Sequence, residues 1–355
     1  MWQGIRGHDQ VVEQFREAVR RGRMASTFLF VGPPGIGKRT FALRLAQSLL
    51  CQRRTEEELD ACGQCPSCVQ VAAGSHPDVD VVAKPPDKSF VPIELLIGDK
   101  EHRMREGMCY NISLKPYSGR RKFAILDDAD YLNREGANCL LKTLEEPPPR
   151  SVLILIGSSE QRQLPTIRSR CQIVRFRPLP DHDVAELLVE QGHCTNAEVA
   201  QRAASLSEGS LERALLWIDP RAAEFRAAFL EQLSQREFDL LTVAKQVSQF
   251  YEEAGKEATL KRGRMKDIVG IAEAFYRELL RTLASGEGGG DEVTSEAVAR
   301  ALRWWLGGDE AAATCIDQCH EAVIQIDANA NLATVSECWL DELGSIARTG
   351  RQTVG

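Results

Sequence analysis

No run of apolar residues in this chain approaches the ~18 that a helix needs to cross a bilayer, so no membrane span is expected. The opening residues, Met1 to Gln10, hold neither an apolar core nor a small-residue cleavage site. No secretory leader is expected there, and the reading is a cytoplasmic protein. Positive charge is in deficit: 44 Lys and Arg against 51 Asp and Glu leave a net charge of -7. A surface of that balance is not built for strong autonomous nucleic-acid binding. Internal repeats and low-complexity tails are also missing.

What is present begins with length. At 355 residues the chain exceeds one ordinary core, and two or three domains are expected. The first stretch alternates strands with helices. Val11 to Arg21 has helical apolar spacing; "TFLFVG" is a buried strand running into glycine; "RTFALRLAQSLLC" is again helical. "DVDVVA", "KFAILDDAD" and "SVLILIGSS" read as further strands, Pro92 to Met108 as a charged helix, and Asn133 to Glu145 as a helix stopped by Pro147 to Pro149. This alternation implies a parallel sheet covered on both faces. Past Pro178 to Pro180 the strand signals vanish. Asp181 to Trp217 reads as a small helical set, and Ala222 onward as a charged helical bundle with one flexible break at Ser285 to Glu292.

Four constellations carry chemistry. The first is "VGPPGIGKRT", Val31 to Thr40, a phosphate-binding loop in its expected strand-to-helix setting. Gly32, Gly35 and Gly37 free backbone N–H groups to face phosphate oxygens, and Lys38 adds a point charge. The hydroxyl that should follow the lysine to hold Mg²⁺ is replaced by Arg39, which has donors and no acceptor. Thr40 arrives one position late, rotated by ~100° on the helix. The second is Asp127 and Asp128 at the end of an apolar strand. Asp127 suits a Mg²⁺ ligand. Asp128 stands where hydrolytic enzymes of this type carry glutamate, one methylene longer, and a ~1 Å misplacement can cost ~10²-fold in rate. Phosphate binding without efficient hydrolysis, or an empty loop, both follow from this pattern, and Mg²⁺ binding is not expected.

The third is Cys51, Cys62, Cys65 and Cys68, four of the eleven cysteines, within eighteen residues. In the cytoplasmic chain expected here their spacing reads as a closed tetrahedral thiolate site for structural Zn²⁺. Cys315 and Cys319, one helical turn apart beside His320, read instead as buried packing. The fourth is "LPTIRSRC", Leu164 to Cys171, whose Arg170 sits at the sheet's edge. Such an arginine can point out of the subunit and stabilise charge on a neighbour's nucleotide. The basic stretch Lys115 to Lys122 is read as a solvated loop.

Together with "LLKTLEEPP" (Leu140 to Pro148), "GSHPDVDVV" after the cysteine insertion, and the long run Leu114 to Pro148, these residues resemble the clamp-loader branch of the AAA+ ATPases. The resemblance is strong over about Ile5 to Leu215 and loose beyond, where "NANLATVSECWLDEL" carries it. It implies an α/β P-loop (RecA-like) domain at 1–178 with the zinc module at 51–68, a helical lid at 179–220, and an all-α collar at 221–355 that joins five subunits in a ring. The implied partners are the gamma/tau and delta subunits of the bacterial DNA polymerase III clamp loader and, through the complex, the sliding clamp and primed DNA. The implied cofactors are zinc and ATP or ADP. The implied roles give Arg170 to an adjacent motor's ATP, Ser158 or Ser159 to the sensor-1 position, and Arg213 to the lid's sensor-2 position. Motor subunits keep G-K-[ST] and D-E; this chain has neither. A subunit that keeps the ring contacts but not hydrolysis is therefore expected. The alternative is an active gamma/tau-like ATPase in which Thr40 and Asp128 stand in for the usual ligands.

Overall fold

Three strands are buried along their whole length, which is why they read as continuous apolar runs rather than alternating ones. These are β1 (Thr27–Val31), β3 (Lys122–Leu126) and β4 (Ser151–Gly157). With β2 (Val79–Val82) and β5 (Gln172–Arg175) they form one parallel sheet in the order β2-β3-β4-β1-β5. In the computed structural model the described residues are 2–85, 88, 90–118, 120–236, 239–286, 288–305 and 308–349. The chain divides into two compact units, Met1–Ile218 and Asp219–Gly355.

In the first unit, side chains alternate across the sheet and feed two cores. Phe28, Phe30, Ile125, Val152 and Ile154 pack with α1 (Asp9–Arg20), α2 (Lys38–Leu50) and α3 (Pro66–Ala72). Leu29, Val31, Leu126, Leu153 and Leu155 pack on the other face with α4 (Ile93–Ile97), α5 (Met108–Ser113), α6 (Arg134–Glu145) and α7 (Pro165–Arg168). On the first face Phe15, Phe28, Phe30, Phe41 and Phe176 form a continuous ring cluster with centroids 5.0–6.2 Å apart.

The segment Pro92 to Met108 is not one helix. Gly98 and Gly107 adopt left-handed φ values of 81° and 86°, and Asp99 Oδ1 accepts from the backbone of Glu101 and His102 at 2.9 and 2.8 Å. Two glycine breaks and an aspartate-capped turn override the helical spacing, leaving only the short α4 and α5. The edge strand β5 lies inside a stretch that periodicity did not single out.

Three helices complete this unit: α8 (Asp181–Glu190), α9 (Ala197–Ser205) and α10 (Leu211–Ile218). Asn196 caps α9 by accepting from the backbone N–H groups of Glu198 and Val199. Arg6 joins the N-terminal segment to α8 through Glu186 and Glu190.

Among the described residues the second unit is all helical: α11 (Pro220–Leu233), α12 (Leu240–Glu252), the 28-residue α13 (Ala258–Ser285), α14 (Glu292–Ala301), α15 (Gly308–Asp327) and α16 (Leu332–Thr349). Asp219, Asp239 and Asp291 cap three of these N-termini. Arg226, buried on α11, donates to both Asp291 oxygens at 3.1 and 2.6 Å and to Thr294 Oγ1 at 2.7 Å. The break after Ser285 is not slack chain. Glu278 Oε1 accepts from the N–H groups of Gly289 and Gly290, which pins the turn back onto α13. Cys315 and Cys319 are fully buried, and His320 Nε2 instead meets Glu273 Oε1 at 3.0 Å. Among the described residues no helix is long and apolar enough to cross a membrane.

Candidate functional site

Because the sheet is parallel, the C-terminal ends of its strands share one edge, where ligands of open α/β sheets bind. That edge gathers the loop after β1, the acids after β3 and the serines after β4; Val31 is paired with Gly157 across the ladder. The loop leads into α2 through Gly37, which is left-handed at φ 93°. Lys38 is buried and donates to the carbonyls of Gly32 and Pro33 at 2.6 and 2.5 Å. Burial pulls its ammonium below the ordinary lysine range, against the attraction of Asp130, Asp127 and Glu212. Among the described residues, the N–H groups of Gly35, Ile36, Gly37, Lys38 and Arg39 meet no protein acceptor. Backbone donors at this helix N-terminus are thus left for an outside acceptor, the kind of place where anions bind.

Two contacts hold the loop that spacing did not reveal. Buried His8 reaches Ile36 O with Nε2 at 2.8 Å, its imidazolium disfavoured by burial. Leu211 N, opening α10, donates to Gly35 O at 3.0 Å. Gly35 is left-handed at φ 72°, and a Cβ there would stand 2.2 Å from Ser210 Oγ and 2.6 Å from Glu212 Cβ. Only glycine lets α10 sit against the loop this closely. Arg213, in the first turn of α10, donates to Glu208.

Arg39 points to the acids. Its Nε lies 3.6 Å from Asp127 Oδ2. Mg²⁺ does not fit this arrangement. The residue at the hydroxyl position cannot ligate a cation, and its guanidinium pairs with the carboxylate that would. Thr40 is solvent-exposed on α2. Asp128 is held in the left-handed region at φ 60°. Burial, and then the neighbouring Asp127 charge, push its carboxyl above the usual range. A third acid, Asp130, organises the edge. It accepts from Ser158 N at 2.7 Å and from Gln163 Nε2. A Cβ at Gly157 would collide with both Gln163 Nε2 and Asp130 Oδ1, at 2.5 and 2.7 Å. Ser158 is therefore the serine beside the acids, while Ser159 Oγ turns to Arg162 N at 3.4 Å.

Arg170 is elsewhere. It lies two residues before β5, and its carbonyl accepts from Thr27 Oγ1 at the start of β1 at 2.8 Å. The loop begins past the other end of β1, so Arg170 lies at the opposite edge of the sheet from its own phosphate cradle. Its Nε donates to Glu145 Oε1 at 2.7 Å and its Nη1 to Thr166 O at 3.0 Å. This joins the two motifs "LLKTLEEPP" and "LPTIRSRC".

The four thiols of Cys51, Cys62, Cys65 and Cys68 lie within 4.8 Å of one another, and three of the residues are buried. Zn–S bonds of ~2.3 Å in a tetrahedron imply S···S edges of ~3.8 Å. Cys62 and Cys68 are 4.0 Å apart. Backbone N–H groups of Cys62, Cys65 and Cys68 aim at Cys51, Cys62 and Cys65 sulfurs at 3.3–3.4 Å. Hydrogen bonding from the Gln64 backbone brings the Cys62 thiol down to about 6. Sulfur-only donors, burial and N–H···S support fit a structural zinc ion. Among the described residues this is the one such metal-ligand cluster. The basic stretch is largely engaged internally: Arg121 pairs with Glu56 at 2.7 Å and Lys122 with Asp78 at 3.6 Å.

Comparison with known proteins follows this geometry. The family model described as DNA polymerase III, delta subunit, matches residues 7–180. DNA polymerase III subunit delta' of Pseudomonas aeruginosa is 37% identical over 191 residues, covering 54% of this chain and 55% of that protein. The Bacillus subtilis delta' subunit is 30% identical over 230 residues, 64% of this chain and 65% of its own length. Over residues 7–180 the chain is thus similar to the delta-prime subunits of DNA polymerase III. A gamma/tau subunit of Mycobacterium tuberculosis is also similar, 33% identical over 182 residues, 51% of this chain and 29% of that protein. The match to these delta-prime relatives thus spans between about half and two thirds of their length.

Proposed function

We propose that this chain is a non-hydrolysing subunit of the DNA polymerase III clamp loader, which supports ATP-dependent loading of the sliding clamp on primed DNA. The observation that carries the reading is the pairing of Arg39 with Asp127, which replaces the magnesium grip by an internal ion pair. The loop of Gly32, Gly35, Gly37 and Lys38 then serves as a cradle for the phosphates of ATP or ADP. Ser158 takes the sensor-1 position and Arg213 the sensor-2 position. Arg170 acts in trans on the ATP of an adjacent gamma/tau-type subunit. Its place at the far edge of the sheet from its own loop favours a neighbour's site over its own. The helical unit Asp219–Gly355 serves as the collar in a five-subunit ring with gamma/tau and delta. A zinc ion on the cysteine quartet stabilises the loop after α2 and, in a closed site, takes no part in chemistry. The competing reading of an active gamma/tau-like ATPase loses support from exposed Thr40 and from Asp128, one methylene shorter than the glutamate it would stand in for.

Two measurements test this. The purified chain is expected to show no Mg²⁺-dependent ATP turnover, and turnover abolished by Lys38→Ala refutes the reading. In a reconstituted complex Arg170→Ala is expected to lower the DNA-stimulated ATPase, since trans arginines contribute ~10³–10⁵ per affected site where they act. An unchanged rate in a correctly assembled complex sinks the trans-arginine role.

A further inference from the structure

A nucleotide's polyphosphate carries several negative charges. At this sheet edge it would meet three more carboxylates, Asp127, Asp128 and Asp130. In a hydrolytic site the divalent cation reconciles the two, bridging phosphate oxygens and the strand-end aspartate. Here that position does not fit a metal. The side chain that follows the loop lysine is a guanidinium, and it already sits 3.6 Å from the Asp127 carboxylate. Arg39 is more than half exposed, at 57%, while Asp127 is 21% exposed, so the cation's other N–H groups remain open to solvent. A guanidinium presents five donors in a fixed fork, enough to keep a carboxylate on one side and phosphate oxygens on another. Beside it lies the row of loop N–H groups without protein acceptors, and Lys38, which can exchange the Gly32 and Pro33 carbonyls for phosphate.

We propose that Arg39 takes the place of the divalent ion, so that the loop binds the phosphate tail of a nucleotide without Mg²⁺. This rests on the reading of the loop as a non-hydrolysing cradle and assigns Arg39 a positive role there: it neutralises Asp127 and contacts the terminal phosphate. No bond is made or broken. The ligand class is a nucleoside di- or triphosphate, recognised through its polyphosphate.

The full chain titrated with ADP and with non-hydrolysable ATP analogue, once with Mg²⁺ and once with EDTA, tests this. The expected result is the same affinity in both conditions within threefold. Arg39→Thr restores the hydroxyl and removes the charge. It is expected to lose at least tenfold in affinity in EDTA and to regain part of that on adding Mg²⁺. Circular dichroism and the thermal midpoint of the variant check that it is folded; Arg39→Lys, which keeps the charge, is expected to retain metal-independent binding and guards against a misfolded threonine variant. Wild-type affinity that falls tenfold or more in EDTA overturns the proposal. So does an Arg39→Thr chain that binds as tightly as wild type in EDTA, or absence of nucleotide binding in every condition. None of these results bears on Arg170, whose assay in the complex tests the clamp-loader reading separately.

Discussion

Glu145 accepts from Arg170 Nε at 2.7 Å, so the last residue of α6 holds the arginine that precedes β5. Both side chains are partly exposed, at 50% and 32%. Such pairs contribute little to stability, and Glu145→Gln is expected to change unfolding free energy by less than ~1 kcal/mol in urea titration. The same contact competes with any outside anion for the guanidinium. In the reconstituted complex Glu145→Gln is therefore expected to sustain an ATPase rate no lower than wild type. A rate as low as that of Arg170→Ala would mean that Glu145 aims the arginine rather than restrains it.

Asp78 is completely buried and has three partners. It accepts from the backbone N–H groups of Tyr117 and Ser118 at 2.6 and 2.8 Å and pairs with Lys122 at 3.6 Å. Burial opposes its charge, but the Ser118 and Tyr117 hydrogen bonds and Lys122 outweigh it and hold the carboxyl below its usual range. A depressed folded-state value contributes stability above the unfolded value of ~4, and that contribution is lost as pH falls through the folded one. Unfolding free energy is expected to fall as pH drops below ~4, and less steeply in Asp78→Asn. At neutral pH Asp78→Ala leaves Lys122 unpaired and is expected to cost ~3–5 kcal/mol. Urea titrations across pH 3 to 7 measure both effects.

Gly35→Ala places a methyl group against Ser210 and Glu212 in a left-handed backbone. Overpacking of this kind costs ~1–3 kcal/mol. The strain is expected to part α10 from the loop, seen as faster amide exchange in residues 206–217 with little change in the sheet. Unaltered exchange there would contradict the contact.

The cysteine quartet is expected to carry one zinc ion per chain in native mass spectra. Cys65→Ser with Cys68→Ser is expected to abolish that mass increment and to speed amide exchange across residues 51–72. A wild-type chain purified with equimolar zinc-free mass and full protection in that segment would argue for a metal-free thiol core.

Local features were legible in the sequence because they are set within a turn or two. The strand-loop-helix of Phe28 to Leu50, the helix that stops before Pro147 and the clustered cysteines all depend on near neighbours. Long-range pairings were not. That Arg39 would find Asp127, or His8 the carbonyl of Ile36, depends on how the sheet edge assembles. Asp130 went unremarked beside the more conspicuous Asp127 and Asp128, yet it is the acid that joins β4 to the turn after β3. The one helix foreseen at Pro92 to Met108 failed on glycines whose left-handed φ values spacing does not report. The turn at Gly289 and Gly290 looked slack because the carboxylate that fixes it lies eleven and twelve residues away, on α13.

Helix α6 starts next to the turn that bears the three aspartates and ends at Glu145, against Arg170 at the sheet's far edge. Its twelve residues span ~18 Å. Mechanically it is a rod laid across the sheet, with the acids near its pivot and the arginine at its tip. A tilt of ~5° about the Asn133 end carries Glu145 by ~1.6 Å, enough to break a well-formed hydrogen bond. The angle at which α6 leaves the turn of the three aspartates therefore sets where Glu145 stands, and with it the hydrogen bond to Arg170.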